Sequence, residues 1–380
     1  MFSRRAALAT SAAASILVPA FAQAKGYEPR GYVGRLERLF DLDLESRDDF
    51  LMAHRKWVGG ELRKAAQSRA YAMLKEAGLD PSAEIGVDKI VAVLKDDPVL
   101  ANNCWHYVRG QQQMWRELQT ACNAHESELM AEMEREDKRG PGSLELNPTM
   151  QLPAYTKEEI HNQPGGYVGD KFAGHIYYFG TNNFWMGHNY QDEMHAKLAS
   201  EAPVPADGKV KRILDMGCGD GRLTMALKDR YPEAEVWGID VGGPMVRFAH
   251  MRANDMNNGA NFAQRLAEDT KFPDGHFDIV TSFLLFHEVN ADANKNILAE
   301  THRVLRPGGV FSANDIRTTP QKMSGYNAFW QWWNARWNYE VWMFEHLGTD
   351  YAAELTKRGF TFAASQGGMA GGGTVATKQT

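Results

Sequence analysis

The segment Arg212-Ile-Leu-Asp-Met-Gly-Cys-Gly-Asp-Gly-Arg222 puts a short apolar run, an acidic residue and three alternating glycines in front of a helical pattern. Ile213 and Leu214 suit a buried strand, and Leu223 to Leu227 resumes at helical spacing. Gly217, Gly219 and Gly221 lack a Cβ, so the chain can turn tightly and a ligand can approach its backbone. A helix starting behind such a turn offers unpaired N–H groups to a polar ligand. Asp215 falls at the carboxyl end of the strand, where open α/β sheets bind ligands. The dinucleotide pattern G-x-G-x-x-G requires a glycine at position 222, which is Arg222.

Three further segments extend the pattern. Glu235-Val-Trp-Gly-Ile-Asp240 reads as a second strand ending in a carboxylate. An acid about 20 residues after a glycine loop can accept from two ribose hydroxyls, which NAD and S-adenosylmethionine (SAM) share. Phe272-Pro-Asp-Gly-His-Phe-Asp-Ile-Val280 is a turn feeding a third buried strand. Arg303-Val-Leu-Arg-Pro-Gly-Gly-Val-Phe311 ends a helix and opens another strand, because Pro307 stops the helix and the glycines permit the turn. In this order the segments resemble the class I SAM-dependent methyltransferases, in particular the small-molecule group that includes the ubiquinone/menaquinone C-methyltransferases. The resemblance covers roughly residues 205–316.

That resemblance implies an α/β fold with a Rossmann-like, seven-stranded sheet. The sheet would be mostly parallel, with an antiparallel last strand, beside a helical N-terminal domain. It implies SAM as cofactor and methyl transfer to a small-molecule acceptor. Asp215 and the backbone of Gly217, Cys218 and Gly219 would hold the methionine part, with Gly221 completing the turn. Asp240 would take the ribose hydroxyls and Met245 would pack on adenine. The family's usual Gly-Asp-Ala run beside the adenine is here Arg265-Leu266-Ala267. The Ala267 backbone would still reach the ring, and Glu268 or Asp269 would replace the missing carboxylate. The serine that follows the second-strand aspartate in the family is replaced by Val241-Gly242-Gly243. Many relatives carry a His-Glu pair where this chain has His287 and Glu288, so these two are candidates to touch the substrate; His287 as a structural cap is the alternative. His188 or His195 is a further candidate base. Methyl transfer from a sulfonium asks mainly for alignment, so a missing acid/base motif does not count against it.

Forty-two basic and 48 acidic residues give a formal charge of −6 with no basic stripe, which argues against a nucleic-acid partner. No apolar run of about 18 residues, the length a membrane span needs, follows the N-terminus. Cys104, Cys122 and Cys218 have no metal-ligand spacing and are expected to be free thiols. His175, His188 and His195, with Asp192 and Glu193, match no common zinc pattern, so no metal is expected. The opening Met1-Phe-Ser-Arg-Arg, an Ala-rich apolar stretch and Ala22-Gln23-Ala24 read as a twin-arginine-type signal over residues 1–24. A periplasmic or secreted location follows, or a cytoplasmic one if the signal is unused.

Residues 25–142 are expected to form the helical domain, which would pack, dimerise the chain or cap the substrate. Leu62, Ala66, Ala70, Met73 and Leu74 recur at helical spacing there, and Gly78 with Pro81 stops that helix. Residues 143–200 are read as a linker followed by an aromatic segment covering the cofactor, with Tyr177, Tyr178 and Trp185 facing cofactor or substrate. Residues 201–380 form the SAM-binding domain, with an aromatic insert near 323–344. Trp333 and Trp337 of that insert are expected to line an apolar or aromatic acceptor pocket; packing on the helical domain is the alternative. The competing functions are an exported, non-catalytic SAM- or nucleoside-binding protein and an NAD-dependent oxidoreductase.

Overall fold

The computed structural model describes residues 31–316, 325–364 and 373–380. The expected signal at 1–24 and the first two residues of the aromatic insert lie outside the described residues. A two-strand ladder of β1 (Tyr32–Val33) and β2 (Leu36–Glu37) precedes the helices. Helix α1 (Leu42–Trp57) starts where the Asp41 carboxylate accepts from the Leu44 amide at 2.8 Å. It runs through one π turn at Val58–Leu62 into α2 (Arg63–Glu76), which Gly78 ends with a φ of +73°. Ala66, Ala70 and Leu74 are its buried face. α3 (Val87–Leu94) leads to α4 (Pro98–Ala124), where Asp97 accepts from the Val99 and Leu100 amides and Pro98 opens the helix. α5 (Glu126–Glu136) follows. Cys104 and Cys122 lie on α4 and are buried, as is Cys218.

Strand β3 (Leu144–Glu145) and helices α6 (Ala173–Phe184) and α7 (Glu193–Glu201) lead into the α/β region. There β4 (Arg212–Met216), α8 (Arg222–Arg230), β5 (Glu235–Asp240), α9 (Gly243–Asp255), β6 (Asn261–Gln264), β7 (Phe277–Phe283), α10 (Ala291–Val304) and β8 (Leu305–Asn314) alternate. α11 (Gly325–Trp337), α12 (Met343–Gly348), α13 (Tyr351–Lys357), β9 (Phe360–Ala364) and β10 (Gly373–Lys378) complete the chain. The sheet order is β3-β6-β5-β4-β7-β8-β10-β9, and only β10 runs antiparallel to its neighbours. Among the described residues the sheet has eight strands where seven are expected. The extra one is β3, two residues pairing Leu144 with Phe262 and Glu145 with Ala263 at the sheet edge. A strand that short has no period a sequence could display.

Helices cover both faces of the sheet, which is why Ile213 to Met216 are buried without alternation. The chain reverses direction across the sheet between β4 and β7, so a crevice opens at their carboxyl ends. Two apolar clusters tie the helical region to the sheet region. One joins Leu51 of α1, Trp115 and Leu118 of α4, Phe172 and Ile176, and Phe248 of α9. The other joins Ala70, Ile90 and Leu100 to Tyr326, Phe329, Trp330 and Trp333 of α11. The aromatic insert therefore packs on the helical region.

Candidate active site

The crevice contains a cavity of about 390 Å³, and residues from both regions line it. Its floor is the glycine turn. The Gly219 amide donates to Asp240 Oδ2 at 3.0 Å, and the Gly242 amide to Oδ1 at 2.8 Å. The strand-tip carboxylate thus fixes the turn while its remaining lone pairs stay available to a ligand. Gly219 has a φ of +55°, and a Cβ placed there would stand 3.6 Å from Tyr177 and 3.8 Å from Met245. A side chain would fill the space between turn, tyrosine and methionine. Gly221 starts α8 in the left-handed region; a Cβ there would meet Ala249 at 2.7 Å and Phe262 at 2.8 Å. Its constraint is the close packing of helix on sheet. Val241, Met245 and the Arg265-Leu266-Ala267 run continue the wall.

Helix α6 covers this floor, and Arg222 holds it there. The guanidinium is 4% exposed and meets Asp220 at 3.0 Å and Asp192 at 3.2 Å. It donates to Thr181 Oγ1 at 2.9 Å and to the Tyr178 carbonyl at 3.0 Å, both on α6.

The opposite end of the cavity is aromatic. Tyr107, Trp115, Phe184, Trp185 and Trp330 line it, with Arg55 among them. The Arg55 guanidinium lies 3.9 Å from the Phe184 ring centre and donates to the Tyr107 hydroxyl at 3.1 Å.

Between the two ends stands a cluster of His161, His287, Glu288 and Glu340. His287 Nδ1 is 2.5 Å from Asp315 Oδ1, and its Nε2 is 3.4 Å from Glu288 Oε1. His161 Nε2 is 3.3 Å from the same Glu288 oxygen, and its Nδ1 is 3.1 Å from Glu340 Oε1. Burial alone would weaken the proton affinity of His287, but Asp315 and Glu288 outweigh it and hold the imidazole well above its ordinary range. The Tyr167 hydroxyl donates to Glu288 at 3.3 Å, and its ring packs edge-on against Tyr177, 5.7 Å away. Contacts therefore run unbroken from the cluster to the glycine turn.

Residues 213–309 match the methyltransferase-domain family. Residues 213–309 are a class I methyltransferase domain. The cofactor of that family is SAM. Demethylmenaquinone methyltransferase of Thermus thermophilus is 38% identical over 123 residues, which is 32% of this chain and 55% of that protein. Fatty-acid O-methyltransferase of Mycolicibacterium smegmatis is 34% identical over 122 residues, 32% of this chain and 43% of that one. The chain spans about half the length of the curated relatives it matches. A solved structure of a putative methyltransferase from Bacillus halodurans is 23% identical and covers 45% of this chain and 70% of its own, with a TM-score of 0.36.

In the methyltransferase domain, Gly217, Gly219, Asp240, Met245 and Ala267 share one cavity wall, and Tyr177, Trp185, His287 and Glu288 also reach the cavity. Other expected site residues do not. Asp215 is fully buried beneath the turn and accepts from Thr224 Oγ1 at 2.7 Å. Cys218 turns into an apolar cluster with Met225, Val246 and Ala249. Glu268 engages Tyr155 and Asn296 instead of the cavity. Tyr178 faces Phe248 and donates to the Arg35 carbonyl. Trp333 packs against Trp330 and Tyr107, Trp337 is 49% exposed, and His188 is exposed. His195 is buried beside Asn189, and burial together with Arg222 keeps its imidazole neutral far below the usual range. Of the α11 tryptophans, Trp330 lines the cavity, beside Gln331 and Asn334. His161 and Arg55 lie in segments without a motif, and Glu340 lies in the aromatic insert, where no spacing singled it out.

Asp215 leads to a test. Burial, reinforced by Asp240, pushes its carboxyl up to about 7, against 3.8 ordinarily. Between those values the folded protein holds a proton that the unfolded chain has released, so stability falls as pH rises. The contribution is fully present below 3.8 and lost as pH passes about 7. Up to about 4 kcal/mol is at stake at about 1.4 kcal/mol per unit. Urea midpoints between pH 4 and 8 are expected to fall in the wild type and to flatten in Asp215→Asn; equal slopes would refute the assignment.

Proposed function

We propose that this chain transfers the methyl group of SAM to a small-molecule acceptor of apolar or aromatic character. One observation carries the reading: a single cavity joins the glycine turn and Asp240 to the aromatic chamber of Tyr107, Phe184, Trp185 and Trp330. Such a cavity can hold nucleophile, methyl and sulfur in line, and that alignment supplies much of the rate. Aromatic faces such as Tyr177, beside Gly219, also suit the positive sulfonium. The acceptors in the relatives' names, a demethylmenaquinone and a fatty acid, are largely apolar. An NAD reaction is disfavoured because Arg222 occupies the third glycine position and is locked by Asp192 and Asp220.

The test is a metabolite screen with purified protein, SAM and pooled quinols, phenols and fatty acids. S-adenosylhomocysteine is expected to accumulate only when an acceptor is present. Calorimetry should show affinity for SAM and S-adenosylhomocysteine and none for NAD. Binding of NAD in place of SAM would overturn the reading.

A further inference from the structure

We propose that His161, His287 and Glu288 form a binding site for a divalent transition-metal ion in the wall of the cofactor cavity. The three ligand atoms lie within 4.8 Å of one another. The two imidazole Nε2 atoms stand 3.3 and 3.4 Å from Glu288 Oε1. Nitrogen and oxygen ligands about 2.0–2.1 Å from a tetrahedral ion are themselves about 3.3 Å apart. Two of the three donor separations thus match those an ion would impose, and the third lies within 4.8 Å.

The partners of the two rings support the same reading. A metal-bound histidine almost always directs its other ring nitrogen to a carboxylate, a carbonyl or water, which fixes the tautomer and turns the free lone pair to the metal. Here both do so: His161 Nδ1 meets Glu340 at 3.1 Å and His287 Nδ1 meets Asp315 at 2.5 Å. Glu288 Oε2 and Glu340 Oε2 are buried and have no hydrogen-bond partner among the described residues. Unpartnered carboxylate oxygens in a buried site call for a cation.

The backbone is held in an uncommon conformation to make this arrangement. His161 has φ 57° and ψ 18°, and Asn162 has φ 55°. The His161 carbonyl is clamped by Gln111 at 2.5 Å and by Trp115 Nε1 at 3.0 Å, both on α4. Strain of this kind persists where surrounding contacts over-determine it, typically at a functional site. The helical region therefore supplies the brace for one ligand, and the loop after β7 supplies the other two.

Two imidazoles and one carboxylate suit zinc, iron(II) or cobalt(II) better than magnesium or calcium, which take oxygen donors. Three protein ligands leave a coordination position open toward the cavity. Resting on the methyl-transfer reading, that position would bind and orient an oxygen of the acceptor; binding of the ion itself does not depend on that reading.

The experiment uses the full chain, stripped with a chelator and titrated with cobalt(II) without SAM or acceptor. One saturable equivalent with a ligand-field spectrum of low-symmetry nitrogen/oxygen coordination is expected, displaced by one equivalent of zinc. Glu340→Gln, a positioning change, should weaken the ion about 10–100-fold. His161→Gln and Glu288→Gln should weaken it further, each variant retaining a cooperative unfolding transition. No stoichiometric uptake by the wild type, or variants that bind like the wild type, would overturn the site. Should a variant not fold, the wild-type cobalt titration decides alone. SAM calorimetry on the stripped wild type separately tests the methyl-transfer reading.

Discussion

Replacing Arg222 with alanine is expected to lower the free energy of unfolding by about 3–5 kcal/mol, the cost of removing one partner from a buried ion cluster. Asp192 and Asp220 would remain, 6% and 4% exposed, without the guanidinium that offsets both. Thr181 and the Tyr178 carbonyl would lose their donor, and the Tyr178 ring would lose a cation 4.4 Å from its centre. Of the cations left near Asp192, Arg35 is 3.7 Å away and 36% exposed, so it screens only weakly, and Arg252 acts on both carboxylates without an ion pair to either. The loss should appear as a lower urea midpoint at unchanged slope. Adding Asp220→Asn to Arg222→Ala should recover part of it, because the second change removes an unpaired charge. A midpoint shift worth under about 1 kcal/mol would show the cluster to be solvated. Since Arg222 also pins α6 over the glycine turn, weaker cofactor binding should accompany the loss of stability.

The contrast between Arg222 and Gly221 marks what the sequence could disclose. The run from Arg212 to Arg222 displays its strand, turn and helix start locally, since each is set by neighbours along the chain. The same holds for β5, β7 and β8, whose punctuating residues are contiguous with them. Sequence position 222 ruled out a dinucleotide loop, yet nothing local says that its arginine would be buried between its neighbour Asp220 and the more distant Asp192 and Thr181, which fold back from other elements. His161 is hidden for the same reason. Its place depends on Gln111 and Trp115, about 50 residues earlier on α4. The α11 tryptophans show a different limit. The nine aromatics between residues 323 and 344 exceed one helix face, but which ring meets the cavity depends on where α2 and α3 take the others. Both Trp330 and Trp333 pack on Tyr107, and of the two Trp330 also reaches the cavity.

Asp240→Ala is expected to weaken SAM binding by two orders of magnitude or more while the sheet stays intact. The carboxylate has two tasks. It accepts from the Gly219 and Gly242 amides, which fixes the turn in the form that admits a ligand. On the proposed reading it would also present cavity-facing lone pairs to the ribose hydroxyls. Hydrogen bonds to a charged group contribute about 1.5–3 kcal/mol each, so losing two costs about 3 kcal/mol at the lower end. Each 1.4 kcal/mol is about tenfold in affinity, which puts the loss above about a hundredfold. Asp240→Asn keeps one acceptor oxygen at the same place and should lose about one order of magnitude. Gly219→Val should match the alanine variant by another route, since its side chain would enter the space bounded by Tyr177 and Met245 on a backbone with φ +55°. Calorimetry with SAM and S-adenosylhomocysteine measures all three. Wild-type affinity in Asp240→Ala would mean that the ribose is held elsewhere on the wall, and the cofactor's orientation in the cavity would have to be reversed.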